Sequence, residues 1–119
     1  MFRIKTYLAE GSEGLGVFTG EAIKKGAIIW IFDWSLDIFV SKTYLSHLHP
    51  LMQEWFHKMG WKKGEVWYAA CDNAGFIRHS DSLNLSTSPG VEPLVAVRDI
   101  SVGEELTEDY TSYDELGFI

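Results

Sequence analysis

Three short stretches of the chain hold the residues whose types and spacing could do chemistry. In Gly14-Leu15-Gly16 the glycines lack a side chain, so the backbone there could approach a ligand closely. Arg78 and His79 stand together in a polar segment, and a guanidinium can pair with the carboxylate of a ligand. Tyr110 ends the third stretch, and its hydroxyl could align a reacting group and stabilise the charge that develops on it. Together the three stretches predict a ligand site, although none of them is specific alone.

Residues 76–84 resemble a motif of the SET-domain protein-lysine methyltransferases, Phe-Ile-Asn-His-Ser-Cys-x-Pro-Asn. The positions that match are Phe76, Ile77, His79, Ser80 and Asn84. The positions that differ are Arg78 for asparagine, Asp81 for cysteine and Leu83 for proline. In the family this motif holds the cofactor, so the resemblance implies cofactor contacts at Arg78 and His79. Because arginine only donates hydrogen bonds, Arg78 could pair with the cofactor's carboxylate rather than copy the asparagine.

Residues 103–110 resemble the family's Gly-Glu-Glu-Leu-Thr-x-Asp-Tyr at every fixed position. The resemblance implies that Tyr110 is the catalytic residue, which aligns the lysine amine and also contacts the cofactor. Gly14, Leu15 and Gly16 lie where the family places a Gly-x-Gly whose backbone contacts the methionine end of the cofactor. The resemblance leaves two further roles to aromatic residues. Phe118 is the candidate for closing the cofactor site, and Tyr68 and Tyr113 are the candidates for the substrate channel.

The function that the resemblance implies is methyl transfer from S-adenosyl-L-methionine to the side-chain amine of a protein lysine. One alternative stays open, because Arg78 and Leu83 depart from the motif. A non-catalytic SET-like module could bind a basic protein segment without turning over a cofactor. Binding of S-adenosylmethionine separates these two classes.

The elements that must position these residues are predicted to be short strands separated by turns. Strands are expected at residues 2–9, 15–19, 27–32, 36–40, 66–70, 94–98 and 105–110. Residues 27–32 are apolar throughout, which predicts a strand that is buried on both faces. This pattern predicts a mainly β fold with minor helix. The resemblance further implies the SET-domain (β-clip) fold, with several small curved sheets and a C-terminal pseudoknot.

One region, residues 41–59, has apolar residues at helical spacing. Pro50 interrupts it, because proline lacks a backbone donor and disfavours helix in the residue before it. We therefore expect two short helices, with Pro50 in the first turn of the second. Gly60 is the expected stop signal.

Length and composition predict one domain over residues 1–119, without cysteine-rich flanking modules. The single cysteine, Cys71, excludes an internal disulfide, and no zinc-ligand cluster or other metal site is expected. The net charge of −7 disfavours direct nucleic-acid binding and favours a basic partner, such as a lysine-containing protein of the chromatin type.

No apolar run is long enough to span a membrane, and the first residues do not resemble a signal peptide. The chain is therefore expected in the cytoplasm of a bacterium or, for a viral or eukaryotic source, in the host nucleus or cytosol, and not to be secreted. It resembles the short stand-alone SET proteins of bacteria and large viruses, and by that analogy a homodimer is an option.

Overall fold

Nine short strands and two helices form across residues 1–11, 13–86 and 92–108, which are the residues that the computed structural model describes. The strands are β1 (Thr6–Gly11), β2 (Gly14–Thr19), β3 (Ile28–Trp30), β4 (Ile38–Ser41), β5 (Trp61–Lys63), β6 (Val66–Ala69), β7 (Arg78–His79), β8 (Leu94–Val95) and β9 (Thr107–Glu108). The helices are α1 (Lys42–Ser46) and α2 (Pro50–Met59), and a 3₁₀ turn spans Asn73–Phe76. The predicted mainly β fold with minor helix is confirmed.

Within the described residues the strands pair into four small sheets. β1 and β2 form an antiparallel hairpin, β3 pairs with β8, and β6 lies between β4 and β5. β7 and β9 pair in parallel. A parallel pair cannot be closed by a tight turn, so the chain must travel around the molecule between these two strands.

Most of the sheets pack around one cluster of buried apolar side chains, called here the main core. Its members are Val17, Ile23, Ile29, Trp30, Phe32, Ile77, Leu85, Leu94, Ala96, Ile100 and Leu106. Val17, Ile77 and Leu106 lie in or directly beside the three chemistry-bearing stretches, and all three are at most 2% exposed. Each stretch is therefore held against the same core by an immediate neighbour in sequence.

The segment from β4 to β6, called here the insert, has a smaller apolar cluster of its own, formed by Leu45, Phe56, Trp67 and Ala69. α1 begins after Ser41, whose hydroxyl accepts a hydrogen bond from the Tyr44 N–H at 3.0 Å. α2 has Pro50 in its first turn, as predicted. In the part of the chain that the structure describes, no helix is both long and apolar enough to cross a bilayer.

Gly60 ends α2 as expected, but for a different physical reason. Its φ of −105° is not left-handed, so the usual conformational argument for a terminal glycine does not apply. A Cβ at this position would overlap the Tyr68 carbonyl oxygen and lie 2.9 Å from the Phe56 carbonyl oxygen. Glycine is required here because two backbone segments approach closely.

Two expectations about the strands were incomplete. The strand over residues 27–32 is not buried on both faces, since Ile28 is 46% exposed while Ile29 is fully buried. A bulge between Ile28 and Trp30 breaks the regular alternation, so Ile29 and Trp30 are both buried while Ile28 is exposed. β5 was not predicted, because two of its three residues are lysines. It forms where Trp61 packs edge-on against Trp30 at 5.9 Å.

Candidate functional site

The second and third chemistry-bearing stretches meet as neighbouring strands. β7 and β9 pair with Arg78 opposite Thr107 and His79 opposite Glu108. Beyond the end of β7, the Ser80 N–H donates to the Glu108 carbonyl at 3.0 Å. Two segments that are far apart in sequence thus lie side by side at the point where the motif residues are concentrated.

Asn84 connects these two stretches from the inside and is only 1% exposed. Its Nδ2 donates to the Glu105 carbonyl at 2.8 Å, and its Oδ1 accepts from the Thr107 N–H at 2.9 Å. Asparagine suits this position because one short side chain carries both a donor and an acceptor. Without it, two buried peptide groups would lose their partners, which is costly.

The first stretch forms the tip of the β1–β2 hairpin and packs against the third. Gly14 has a φ of +101°, a conformation that favours glycine. The Leu106 N–H donates to the Val17 carbonyl at 2.8 Å, and the Thr19 N–H donates to the Glu104 carbonyl at 3.0 Å. All three stretches therefore converge on the segment that leads into β9.

Arg78 holds two carboxylates at this convergence. Its Nε and Nη2 donate to the two carboxylate oxygens of Glu105 at 2.9 and 3.2 Å, and its Nη1 donates to Glu13 at 2.9 Å. The hydrogen bonds to Glu105 are the main cause that raises the pKa of Arg78 above its already high ordinary value. A permanently charged guanidinium therefore links the hairpin tip, β7 and the segment before β9.

Glycine at two positions of the hairpin makes room for the Glu105 side chain. A Cβ on Gly16 would overlap Glu105 Oε2, and a Cβ on Gly11 would lie 2.9 Å from Glu105 Oε1. The group that lies against Gly16 in this structure is thus a protein carboxylate. Gly11 and Gly16 thus leave the space that the Glu105 carboxylate occupies while it is bonded to Arg78.

The family model of the SET domain matches residues 14–111 of this sequence, which is most of its length. The chain belongs to the SET-domain family. The match confirms the resemblance seen in the motifs and includes both stretches that Asn84 joins. A comparison with curated proteins found no match.

Solved structures show the same fold. A Plasmodium falciparum protein assigned as a histone methyltransferase is 24% identical to the SET domain described here, with a TM-score of 0.65, over 91% of this chain and 94% of that one. A humanized mutant of the Chaetomium thermophilum Polycomb Repressive Complex 2, bound to the inhibitor GSK126, is 19% identical with a TM-score of 0.65. The alignment covers 92% of this chain and 15% of that chain. At these identities the likeness shows the fold, and the predicted SET fold of small sheets is confirmed.

The other predicted site residues are distributed around this convergence and beyond it. Leu15 is 44% exposed near the hairpin tip, and His79 lies in β7. Tyr68 lies in β6, where its ring stacks on Trp61 at 5.9 Å and contacts Phe32 edge-on at 5.5 Å. The predicted positions that lie outside the described residues are Tyr110, Tyr113 and Phe118, together with the C-terminal segment that the expected pseudoknot requires.

Sequence reasoning missed Glu105 and Glu13 as partners of Arg78. The signal in the sequence was the arginine itself, which stands where the motif has a neutral asparagine. The structure shows that its side chain is three-quarters buried, and a buried charge needs compensating carboxylates. Glu105 belongs to a matched motif, but the motif itself does not say which side chain its carboxylate meets. Only the convergence of the three stretches supplies that pairing.

A separate cleft of about 210 Å³ lies in the insert, away from the three motif stretches. It is lined by Lys42, Leu45, Ser46, Gln53, His57, Lys62 and Trp67. Among the residues that the structure describes, no group of three histidine, cysteine or carboxylate side chains could hold a metal ion.

Proposed function

We propose that this SET domain transfers a methyl group from S-adenosylmethionine to the side-chain amine of a protein lysine. The observation that carries the proposal is the convergence of three separate motif stretches on the Arg78–Glu105 pair. Asn84 and the parallel β7–β9 pairing hold the second and third stretches together through buried hydrogen bonds. Such a convergence is what a site assembled from distant parts of the chain requires.

The side chains at this convergence suit the amino-acid end of the proposed cofactor, which carries one carboxylate and one ammonium group. The Arg78 guanidinium could pair with the carboxylate. The backbone of Gly14, Leu15 and Gly16 and the neighbouring His79 complete the proposed cofactor contacts, with Tyr110 and Phe118 assigned from the resemblance. A permanently charged guanidinium at this point supports a ligand end that carries a carboxylate.

When bound, S-adenosylmethionine would supply a methyl group on a sulfonium, which is a good leaving group. The lysine amine must be neutral to accept the methyl group. A free lysine has a pKa of about 10.4, so deprotonating it at pH 7.4 costs roughly 4 kcal/mol. A desolvated channel lowers the pKa of the amine and so reduces the cost. We assign its walls to Tyr68 and Tyr113. The ring stacking of Tyr68 on Trp61 supports a rigid wall.

The proposed role of Tyr110 is to align the amine through its hydroxyl. Tyr110→Phe should lower methyl transfer about a hundredfold, because one preorganised donor at the reacting centre is lost. Folding should not change. The measurement is transfer of labelled methyl groups to a lysine peptide array, followed by mass spectrometry of the modified peptides.

The matched control is Tyr44→Phe, which removes the hydroxyl of a tyrosine that is 61% exposed in the insert. It should transfer methyl groups at the wild-type rate. Unchanged rate and product distribution in Tyr110→Phe would contradict the role given to Tyr110. Absence of S-adenosylmethionine binding at millimolar concentration in calorimetry would contradict the enzyme proposal as a whole.

A second candidate function is a non-catalytic module that binds a basic protein segment. The observation that favours it is that Arg78 is already neutralised by two carboxylates. The net charge of −7 supports a basic partner under either proposal, by long-range attraction. Binding of a lysine-rich peptide by a chain that does not bind the cofactor would favour this candidate.

A further inference from the structure

The two carboxylates that Arg78 holds are attached to it in different ways. Glu105 takes the Nε–Nη2 edge of the guanidinium with both oxygens, a bidentate geometry. Glu13 takes one N–H of Nη1 with a single oxygen at 2.9 Å. The His79 carbonyl lies 3.4 Å from the same Nη1. The outer end of the guanidinium is therefore held by one monodentate carboxylate.

Burial separates the two carboxylates further. The Glu105 side chain is 13% exposed and fills the space above Gly16 and Gly11, so it cannot leave without opening a void. The Glu13 side chain is 69% exposed at the hairpin tip. Exposed ion pairs are weak, because water and salt compete for both charges. Glu13 can leave Arg78 easily, whereas Glu105 cannot.

The net charge around Arg78 limits which ligands can bind to its guanidinium. One guanidinium facing two carboxylates leaves a local excess of one negative charge. A third carboxylate at this point would be repelled unless one of the two departs. An incoming anionic group must therefore replace Glu13.

We propose that Glu13 is an exchangeable placeholder that occupies the ligand-binding end of Arg78 and gives way to the α-carboxylate of the cofactor. This inference rests on the proposed function. Glu105 stays bound and keeps the guanidinium oriented through the exchange. Glu13 thereby acts as a selectivity residue, since it competes with ligands that carry a carboxylate and not with ligands that lack one.

The test compares Glu13→Gln with Glu10→Gln, using isothermal calorimetry and two probes. S-adenosylhomocysteine carries the carboxylate, and 5′-methylthioadenosine lacks the whole amino-acid end. Glu10 is an exposed carboxylate on the same hairpin, opposite Leu15, so its replacement removes the same charge nearby. It therefore controls for the general change in electrostatic potential.

Glu13→Gln should bind S-adenosylhomocysteine two- to five-fold more tightly than Glu10→Gln does, and the gain should shrink as salt rises. Affinity for 5′-methylthioadenosine should be equal in the two variants. The Arg78 Nε–H resonance should stay in place in Glu13→Gln, because the bond to Glu105 persists. These readouts do not depend on turnover.

Three outcomes are decisive. A selective gain for S-adenosylhomocysteine in Glu13→Gln supports the placeholder. Equal affinities in Glu13→Gln and Glu10→Gln, or equal gains for both probes, overturn it while leaving the proposed function intact. If neither the wild type nor Glu13→Gln binds S-adenosylhomocysteine, the proposed function fails and the placeholder fails with it.

Discussion

The convergence of the three motif stretches and the insert are held together by different kinds of contact. At the convergence, buried polar side chains connect backbone segments that are distant in sequence, as Asn84 does for Glu105 and Thr107. In the insert, the comparable side-chain bonds are local, as Gln53 shows by donating to the Ser46 and Leu48 carbonyls. The identity of a residue is therefore constrained more tightly where it must satisfy distant backbone groups.

The largest expected effect tests that difference directly. Asn84→Ala should lower the free energy of unfolding by about 3 kcal/mol, because a buried N–H and a buried carbonyl both lose their partner. Gln53→Ala in the insert should cost about 1 kcal/mol, because water can replace its donor at a more exposed position. Urea denaturation of both variants measures the gap. Equal losses would remove the contrast between the two regions.

Two glycines offer a second comparison of intermediate size. Gly16→Ala and Gly60→Ala should each cost about 2 kcal/mol, since each added methyl group overlaps a neighbouring atom. Their consequences should differ, because Gly16 faces the Glu105 carboxylate and Gly60 faces the Tyr68 carbonyl. Side-chain NMR should show a shifted Arg78 Nε–H resonance in Gly16→Ala and an unshifted one in Gly60→Ala. A shift in both variants would mean that the regions are mechanically coupled.

The smallest expected effect concerns how the free energy of unfolding depends on pH at Asp37, which lies directly before β4 at the start of the insert. The buried Asp37 carboxylate accepts from the N–H groups of Asp33 and Cys71 at 2.7 and 2.8 Å. Burial acts to raise the pKa of Asp37, but these hydrogen bonds outweigh it and lower the pKa below its ordinary value. The stability that Asp37 contributes is thus fully present above about pH 4 and is lost as pH falls through the lowered pKa.

Asp37→Asn should lower the free energy of unfolding at pH 7 by about 1 kcal/mol, because an amide accepts these bonds less strongly than a carboxylate. It should also flatten the decline of stability below pH 4. Unfolding curves between pH 2 and 7 measure both. An unchanged acid slope in the variant would show that other carboxylates control it.

Much of the fold could be predicted from local signals. Pro50 marked the start of α2, because proline acts through its own backbone. β5 could not be predicted, since Trp61 gains its stability from Trp30 and Tyr68 rather than from its neighbours in sequence. The exposure of Ile28 likewise depends on a bulge in the pairing of β3 with β8, which leaves Ile29 and Trp30 both buried.

The sequence by itself determined the family, because three motifs in a fixed order identify the fold that they require. It also determined that Arg78 would be charged where the family has a neutral residue. The tertiary structure decided what surrounds that charge. Glu105 and Glu13 reach Arg78 from segments 27 and 65 positions away, and only folding around the main core brings such distant carboxylates within hydrogen-bonding distance of one guanidinium.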